Sequence, residues 1–462
     1  MRFCYIKQIL TVHKHLLTFI TLLMLTVCGC CVVERYYIHK AGAKMKARYS
    51  NSLPISVSHR FSPYIDCDSR ITDLRGKGMN EQILNIRLLI EKHRQFYKPM
   101  VLCFLEYIKD GKCIPWSKMI NILVGKGMNE QGAIVIKQLC CHGTLFGKDK
   151  YLRAHWFRRQ RGVRKSQVLS KSLFDVDTVL NLLQIFEEWS GGVEIFGRKI
   201  KTIRYADETT LLASNEEELA VLLKRIEEAT INCGVRINRY TTKIMVVDRA
   251  NVLKRCEELS DYERVNEIIY LGSVISNNGT CTEEINRRIY MASYVMSIIE
   301  GQWKALKIEC QEERKECVIK VVFPIFKYAS ETWTYKNQDR KKIDVFEMKC
   351  WRKVLNISRK CMKTNLSIRK KLKISKKLST WCQLKAVGFF GHIVCEPTRD
   401  LERALLLCNL KNPYGNRYKG RPPKGWDSVV KKKLGCNDLR VAIRMAHDRK
   451  RWGQLSHGER VT

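Results

Sequence analysis

The sequence predicts a domain of mixed α and β structure followed by a helical, basic region. Three observations carry this prediction: short apolar runs between turn residues, an amphipathic helix between two of those runs, and helix-start signals beyond about residue 280. At 462 residues, the chain is long enough for two or three domains. Strands interleaved with helices imply an α/β or α+β arrangement around a covered sheet.

The strand predictions begin at Met100. "MVLCFLEYI" is a continuous apolar run with one acid, Glu106, near its end, which is typical of a strand covered on both faces. "VEIFGRKIKTIRYADETTLLAS" predicts strand, glycine turn, strand, Asp-Glu turn and strand. "KIMVVD", from Lys243 to Asp248, predicts a further strand.

The clearest helix follows the Asp-Glu turn. Ser214 is predicted as its cap, Glu217 completes a capping box, and Gly234 ends it. Its apolar face consists of Leu219, Leu222, Leu223, Ile226 and Ala229.

Other helix starts are predicted on both sides of this segment. "GKGMNEQ" occurs twice, and Asn80 or Asn129 is expected to cap the helix that each copy opens. Thr282 is expected to cap "TEEINRRIYMASYVMSII". "GNRYKGRPPKGW" reads as a Gly/Pro/basic linker before a last helix.

The charge balance indicates a polyanionic partner. Lys and Arg number 84 against 46 acidic residues, a formal net charge of +38. Nucleic acid and an anionic membrane both fit this excess. The charge continues through segments with ordinary apolar periodicity, which favours a folded nucleic-acid binder over a basic tail.

The twenty cysteines show no recurring C-x-x-C pairing, so most are expected to be reduced, buried and apolar in character. The best metal candidate among them is the loose set Cys382, His392, Cys395 and Cys408. Its spacing matches no zinc module.

The N-terminal region contains 18 uncharged residues from Leu16 to Val33, at the lower limit for crossing a bilayer. Basic residues on both sides set no orientation. A signal peptide or anchor, a buried helix and an unrelated leader all stay open.

Adjacent acids in a hairpin turn, with another acid on a nearby strand, form the layout that holds two Mg²⁺ ions for nucleotidyl transfer. Magnesium favours carboxylate oxygen in a rigid octahedral arrangement, so short Asp side chains suit it best. An acidic pair in a turn is weak support alone, because turns are solvated.

Several motifs together resemble the reverse transcriptases of non-LTR (LINE-like) retrotransposons. "YADETTLLA" resembles their YADD signature, "FLEYIKDGKCIPW" their first catalytic motif, and "RGVRKSQVLSKSLF" their nucleotide-positioning motif. "TTKIMVV", "YLGSVISNNGTCTEEINRRI", "FPIFKYASETWT", "FEMKCWRKVLNIS", "GRPPKGW" and "DRKRWGQL" follow in the family's order. The resemblance covers the chain from about Leu74 to its end.

This resemblance implies an α+β right-hand fold of polymerase-type palm and fingers, followed by a helical thumb-like region and a basic C-terminal region. The implied domains are a hydrophobic segment at 1–50, a linker at 51–73, fingers and palm at 74–250, a thumb-like region at 251–345 and basic helices at 346–462. The implied reaction is template-directed transfer of deoxynucleotides to a primer, with RNA template and RNA–DNA hybrid as partners and two Mg²⁺ ions as cofactor.

The resemblance also assigns residue roles. Glu106, Asp207 and Glu208 would be the metal ligands, and Lys243 would assist the pyrophosphate leaving group as acid or charge. Template or nucleotide contacts would come from Gly162, Arg164, Arg87 and Tyr205. Surface charge is the alternative for Lys243 and Arg87.

The sequence departs from the family where the chemistry is most demanding. Glu106 and Glu208 stand where aspartates are usual, and each extra methylene moves the carboxylate by about 1 Å, which can cost about 100-fold in rate. Gly111 replaces a sugar-discriminating Phe, and Lys165-Ser166-Gln167 replaces Q-G-C. No counterpart of the family's endonuclease domain is found. A decayed or chimeric copy with weak or absent activity is expected.

Two other functions stay open. One is a non-catalytic nucleic-acid-binding remnant, and the other is a basic protein anchored in a membrane through its N-terminal segment. A nuclear or cytoplasmic location is the expectation, with membrane or secretory association as the alternative.

Overall fold

The fold is that of a computed structural model, and it is a mixed α and β fold as predicted. It describes residues 78–107, 124, 130, 131, 134, 144–148, 154–158, 185–195, 197–205, 208–232, 236–396, 400–407 and 425–457. Two compact units make up the chain, Met1–Cys67 with Ile114–Asp177 and Asp68–Cys113 with Thr178–Thr462. The domain boundaries proposed at residues 250 and 345 fall inside the second unit and stay predictions.

The strands of the described residues are, in chain order, β1 (Met100–Leu105), β2 (Thr144–Lys148), β3 (Ala154–Arg158), β4 (Val193–Ile195), β5 (Arg198–Ile200), β6 (Thr202–Tyr205), β7 (Glu208–Ala213), β8 (Lys243–Val247), β9 (Glu263–Arg264), β10 (Glu267–Tyr270) and β11 (Ser273–Ser276). The α-helices are α1 (Met79–Gln95), α2 (Glu216–Asn232), α3 (Thr282–Ala305), α4 (Gln311–Cys317), α5 (Phe323–Lys327), α6 (Asn337–Val354), α7 (Asn365–Lys371), α8 (Leu378–Cys395), α9 (Asp400–Leu407), α10 (Trp426–Leu434), α11 (Leu439–His447) and α12 (Arg449–His457).

Five strands form the main sheet, in the order β6-β7-β1-β8-β9. Neighbouring strands are antiparallel except β8 and β9, which are parallel. All six residues of the central strand β1 are buried, because side chains cover both faces of the sheet. This explains why its sequence is a continuous apolar run instead of an alternating one.

The side chains of alternate β1 residues pack into two separate hydrophobic cores, one on each face of the sheet. Leu102 and Phe104 pack with α1 on one face of the sheet. Val101 and Cys103 pack on the other face with α2, through the apolar stripe predicted from the sequence. Leu219, Leu222, Leu223 and Ile226 of that stripe are buried, and Ala229 is half-buried. Glu106 continues the register of Phe104, which directs it toward the α1 face at the end of the sheet.

The described residues also form three two-stranded hairpins. In the first unit, β2 pairs with β3, and in the second unit β4 pairs with β5 and β10 with β11. The turn between β10 and β11 consists of Leu271 and Gly272, with φ of 45° and 74°. Both values lie in the left-handed region that two-residue hairpin turns require, a conformation that is costly for leucine.

Helix α8 is the centre of the C-terminal helices. It packs against α6, α10, α11 and α12, which fits its apolar composition around most of its circumference. A Cβ atom at Gly391 would collide with the indole of Trp452. This glycine therefore allows α12 to approach α8 closely.

Three predicted helix caps are wrong by one or two residues. Helix α1 begins at Met79, and the Asn80 amide instead donates to the Glu331 carboxylate at 2.6 Å. Helix α3 begins at Thr282, so this residue is inside the helix and Cys281 holds the cap position. In α1 a distant partner competes successfully for the polar side chain.

The capping box of α2 lies one residue later than predicted. The Glu218 amide donates to Asn215 Oδ1 at 2.7 Å, and the Ser214 amide donates to Glu218 Oε2 at 2.9 Å. Adjacent Ser and Asn are both good cap residues, so the local sequence does not separate them. Gly234 and Asn129 lie outside the described residues.

The last region contains three helices where one was predicted. Helix α10 begins at Trp426, whose side chain is buried, so this residue belongs to the core and not to a linker. Of the described cysteines, Cys103, Cys281, Cys350 and Cys382 are buried, and the other six are partly or fully exposed thiols.

Within the described ranges, no helix has the length and apolar character needed to cross a bilayer. The segment from Leu16 to Val33 lies outside those ranges.

Candidate active site

A cleft of about 380 Å³ opens at the end of the main sheet where β1 ends and β7 begins. Its floor is made by these strands, its sides by β8 and by β10. Its lining residues are Phe104, Leu105, Glu106, Glu208, Thr209, Thr210, Thr241, Lys243, Glu267, Ile268, Ile269 and Tyr270. The cleft therefore contains the described acids and the lysine that the sequence motifs single out.

Glu106 and Glu208 occupy opposite positions on neighbouring strands. The antiparallel register of β1 and β7 pairs Leu105 with Thr209, so the next position along places Glu106 across from Glu208. Opposite residues in such a pair have Cβ atoms about 4.5–5.5 Å apart and share one face of the sheet. Two carboxylates thus converge on one end of the cleft.

The backbone of Glu106 is fixed although its side chain is exposed. Its N–H donates to Thr242 Oγ1 at 3.1 Å, and its carbonyl accepts from the Asn238 amide at 2.8 Å. These bonds hold the end of β1 against the segment that precedes β8. The carboxylate is left open to solvent, where a cation can reach it.

Glu208 connects the main sheet to the β10–β11 hairpin. Its Oε2 accepts a hydrogen bond from the Leu271 amide at 3.3 Å. The Leu271 carbonyl accepts from the Tyr328 hydroxyl at 2.7 Å, and the Gly272 carbonyl accepts from Arg287 at 3.2 Å. Side chains from three elements therefore hold the strained hairpin turn, and Glu208 is one of them.

The structure corrects the position of Glu208 within its hairpin. It is the first residue of β7 and pairs with Tyr205 of β6, so it is a strand residue and not part of the turn. Asp207 lies outside the described residues. Tyr205 is half-buried against the core of the α1 face, and its predicted nucleotide contact stays a prediction.

Tyr270 forms the wall of the cleft behind Glu208. Burial, together with the nearby Glu208 carboxylate, raises the pKa of Tyr270 well above its ordinary value. Its ring lies 5.6 Å from that of Phe104, centroid to centroid. The buried phenol ring therefore forms part of the wall of the cleft in its neutral form.

Lys243 begins β8 and is paired across the parallel ladder with Glu263 of β9. The Lys243 ammonium lies 3.1 Å from the Glu263 carboxylate, with the two side chains 33% and 55% exposed. A pair this exposed exchanges readily with solvent. Lys243 therefore lines the cleft, but its ammonium already has an ion-pair partner in Glu263.

Arg87, which was also predicted to contact a nucleotide, lies outside the cleft. Arg87 lies on α1, and its guanidinium donates to Ser273 Oγ and the Val274 carbonyl, each at 3.0 Å, and to the Cys281 thiol. These bonds fix the β10–β11 hairpin to α1. Gly162 and Arg164 lie outside the described residues.

The donor set of the cleft suits a hard divalent cation. Glu106 and Glu208 offer carboxylate oxygens, the ligand type that magnesium prefers, and the described residues that line the cleft include no thiol or imidazole. In the described part of the chain, no three His, Cys, Asp or Glu side chains cluster closely enough to hold a metal ion. The third described carboxylate that lines the cleft is that of Glu267.

The loose cysteine and histidine set is not seen as a zinc site. The Cys382 side chain is fully buried, and burial raises the pKa of its thiol to about 12. Cys395 donates to the Ala446 carbonyl at 3.2 Å, whereas His392 lies 3.8 Å from Glu81. Cys408 lies outside the described residues.

Sequence reasoning missed Glu267, Thr242 and Tyr270. The positions of Glu267 and Tyr270 could have been predicted from "NEIIY", because side chains alternate between the two faces of a strand. Glu267 and Ile269 are exposed, whereas Tyr270 is buried. No local pattern indicates that the Thr242 hydroxyl supports the end of β1, because these residues are 136 positions apart.

No family model matches the chain. It is similar to a Caenorhabditis elegans protein described as uncharacterized and transposon-derived, with 21% identity over 272 residues that cover 56% of this chain and 96% of the relative.

Among solved structures, the chain is similar to apo telomerase from Candida tropicalis, with a TM-score of 0.37 and 11% identity over 77% of this chain. It is also similar to telomerase of the same organism in complex with the TWJ fragment of telomeric RNA, with a TM-score of 0.36 and 12% identity over 80% of this chain. The corresponding complex from Candida albicans has a TM-score of 0.34 and 12% identity over 70% of this chain. The chain spans 60%, 59% and 56% of these three proteins, respectively.

Proposed function

We propose that the chain is a retrotransposon-derived reverse transcriptase polypeptide of the non-LTR class, an RNA-directed DNA polymerase whose activity is impaired. The main sheet would be its palm, and the helices from α3 onward its thumb-like and C-terminal regions. The transposon-derived relative supports this origin. The partners would be RNA template, RNA–DNA hybrid and deoxynucleotides.

One observation carries the proposal. The register of β1 and β7 brings Glu106 and Glu208 to opposite positions, and Lys243 of the next strand lines the same cleft. These three residues come from motifs separated by up to 137 positions in the sequence. Their convergence is what a nucleotidyl-transfer site requires.

Glu106, Glu208 and Asp207 would hold the metal. When bound, two Mg²⁺ ions would supply electrostatic stabilisation of the attacking and leaving oxygens. Lys243 would stabilise the negative charge of the pyrophosphate leaving group, after separating from Glu263. Because that pair is half-exposed, its separation costs less than about 1 kcal/mol.

The impairment would have two causes in the same side chains. Each glutamate is one methylene longer than the usual aspartate, and misplacement by about 1 Å can cost about 100-fold in rate. In addition, one oxygen of Glu208 accepts the Leu271 amide. A metal ion would have to compete with this bond for the carboxylate.

Primer extension on an RNA template, with Mg²⁺ or Mn²⁺, tests the proposal. We expect little or no synthesis by the unaltered chain, and a gain of up to about 100-fold in the double variant Glu106→Asp, Glu208→Asp. Glu194→Asp, at an exposed position on β4, is the matched control and should change nothing.

Robust synthesis by the unaltered chain would refute the impairment. If the double variant stays inactive while RNA binding is retained and is indifferent to Mg²⁺, the non-catalytic remnant is the better description. Binding alone would then be measured against salt concentration, because phosphate contacts make it strongly salt-dependent.

A further inference from the structure

The segment 356–377, which contains α7, holds nine basic residues and no acid among its 22 residues. Five of its lysines are exposed and have no carboxylate at ion-pair distance anywhere in the described part of the chain: Lys360, Lys363, Lys370, Lys371 and Lys373. We call these five, with the exposed side chains of Met362 and Leu366, the lysine surface. It lies in the second unit, apart in sequence from the residues that line the cleft.

This concentration of charge is unlike an ordinary solvated face. Typical protein surfaces intersperse both signs of charge. The exposed face of α2 does so, with Glu217 and Glu228 beside Lys224 and Arg225. Lysines without acidic neighbours repel one another, and a polyanion relieves that repulsion.

The segment is held firmly against the helices beneath it. Arg369 points inward and donates to the buried Glu347 carboxylate at 3.1 Å. Arg352 of α6 donates to the Lys363 carbonyl at 2.9 Å and to Asn365 Oδ1 at 3.1 Å. The lysine surface is therefore a presented surface of a folded region, and not a solvated tail.

Two large apolar side chains lie among the lysines. Met362 is 88% exposed and Leu366 is 79% exposed. Leu366 and Lys370 are one turn apart on the outward side of α7, whereas Ile368 and Leu372 are buried on its inward side. An apolar contact next to phosphate contacts is thus available on one surface.

We propose that the lysine surface binds the backbone of an A-form duplex, either RNA or an RNA–DNA hybrid. The lysines would contact phosphates, while Met362 and Leu366 would contact sugars in the wide, shallow minor groove. A membrane fits less well, because an interfacial helix buries a broad apolar face. Helix α7 has only seven residues, and one of its two apolar side chains, Ile368, is already buried.

The test compares two full-length variants with equal loss of charge. One carries alanine at Lys363, Lys370, Lys371 and Lys373. The matched control carries alanine at the exposed lysines Lys224, Lys254, Lys307 and Lys432. Binding to a short blunt-ended RNA duplex is measured by fluorescence anisotropy across a salt series, without divalent metal.

We expect the surface variant to bind about tenfold more weakly at physiological salt. The slope of log affinity against log salt concentration should become shallower by about 3 to 4, since up to four phosphate contacts are lost. The control variant should keep most of the slope. Equal losses in both variants would overturn the proposal in favour of diffuse charge. These readouts do not depend on primer extension, so an inactive cleft leaves the test intact.

Two further measurements identify the kind of partner that the lysine surface binds. Single-stranded RNA or B-form DNA that competes better than the RNA duplex would overturn the A-form assignment. Serine at Met362 and Leu366 should weaken duplex binding by a few-fold. If this apolar variant instead loses only its binding to phosphatidylserine vesicles, the surface is a membrane contact. If a quadruple variant fails to fold, the single variant Lys370→Glu tests whether the charge of the lysine surface is needed for duplex binding.

Discussion

Acidic side chains line the cleft at the end of the main sheet, whereas the lysine surface carries no acid at all. Glu106, Glu208 and Glu267 line the cleft, and its Lys243 is paired with Glu263. A phosphate would be repelled from the cleft unless cations were present, but it would be attracted to the lysine surface directly. The net charge of the chain therefore does not say where a nucleic acid would bind, and the two regions should differ in their need for divalent metal.

The two regions also differ in how their charged residues are supported. Backbone hydrogen bonds fix the end of β1, and the Glu106 side chain is left exposed. Under the lysine surface, a buried carboxylate on α6 holds the only inward-pointing base of α7. Glu347 accepts from Trp351 Nε1 at 3.0 Å, from Arg369 at 3.1 Å and from the Leu378 amide at 3.0 Å.

The largest effect is expected from Glu347→Ala. This change leaves the Arg369 guanidinium, whose side chain is 15% exposed, without its partner, and breaking such a buried pair typically costs about 3–5 kcal/mol. Urea unfolding followed by circular dichroism measures the loss. Weaker binding of duplex RNA should accompany it, because α7 loses its anchor.

Glu300→Ala is the control for this experiment. Glu300 also pairs with a base of α6, Lys353, at 2.7 Å, but it is 32% exposed. We expect this variant to lose no more than about 1 kcal/mol. Equal losses in the two variants would mean that Glu347 is not the support of this region.

A second, smaller effect is expected where the main-sheet layer meets the C-terminal helices. Glu91 of α1 is half-buried and accepts the Trp426 amide at the start of α10, at 2.8 Å. Burial raises the pKa of Glu91 from 4.5 to about 7, opposed by the hydrogen bond from Trp426. This carboxyl group therefore takes up a proton in the physiological range.

The folded chain binds the Glu91 proton more tightly than the unfolded chain. The stabilisation that protonated Glu91 contributes is therefore fully present below pH 4.5. It is lost as pH rises to about 7, by about 3 kcal/mol in total. Glu91→Gln removes the titration, so the variant should gain stability relative to the unaltered chain across this window. Urea unfolding at several pH values measures the difference. A constant difference would contradict the expectation, and Glu228→Gln on the exposed side of α2 provides the control.

The sequence was sufficient for the elements whose signals are local. The apolar runs of β1, β7 and β8 and the apolar stripe of α2 all form where the pattern predicts them. Cap residues were less predictable, since Asn215 and Ser214 are both suitable and a distant partner takes Asn80.

The interactions that organise the candidate site and the lysine surface depend on long-range packing. The proximity of Glu106 and Glu208 follows from strand pairing, which a motif resemblance can suggest but composition cannot. The pairing of Lys243 with Glu263 and of Arg369 with Glu347 joins residues about 20 positions apart on different elements. Both require the packing of whole elements, so no local pattern contains them.

The smallest effect on stability, and the finest test of the cleft, comes from separating the two partners of the Lys243–Glu263 pair. Lys243→Ala and Glu263→Ala break the same exposed bridge, so each should change the free energy of unfolding by less than about 1 kcal/mol. Their effects on synthesis should differ, because only Lys243 can stabilise a leaving pyrophosphate. In the Glu106→Asp, Glu208→Asp background, Lys243→Ala should lower primer extension by about 10²-fold or more, whereas Glu263→Ala should leave it unchanged or raise it by freeing the ammonium. Equal losses in both variants would assign the bridge a structural role only, and Lys243 would then be the surface charge that its exposure also allows.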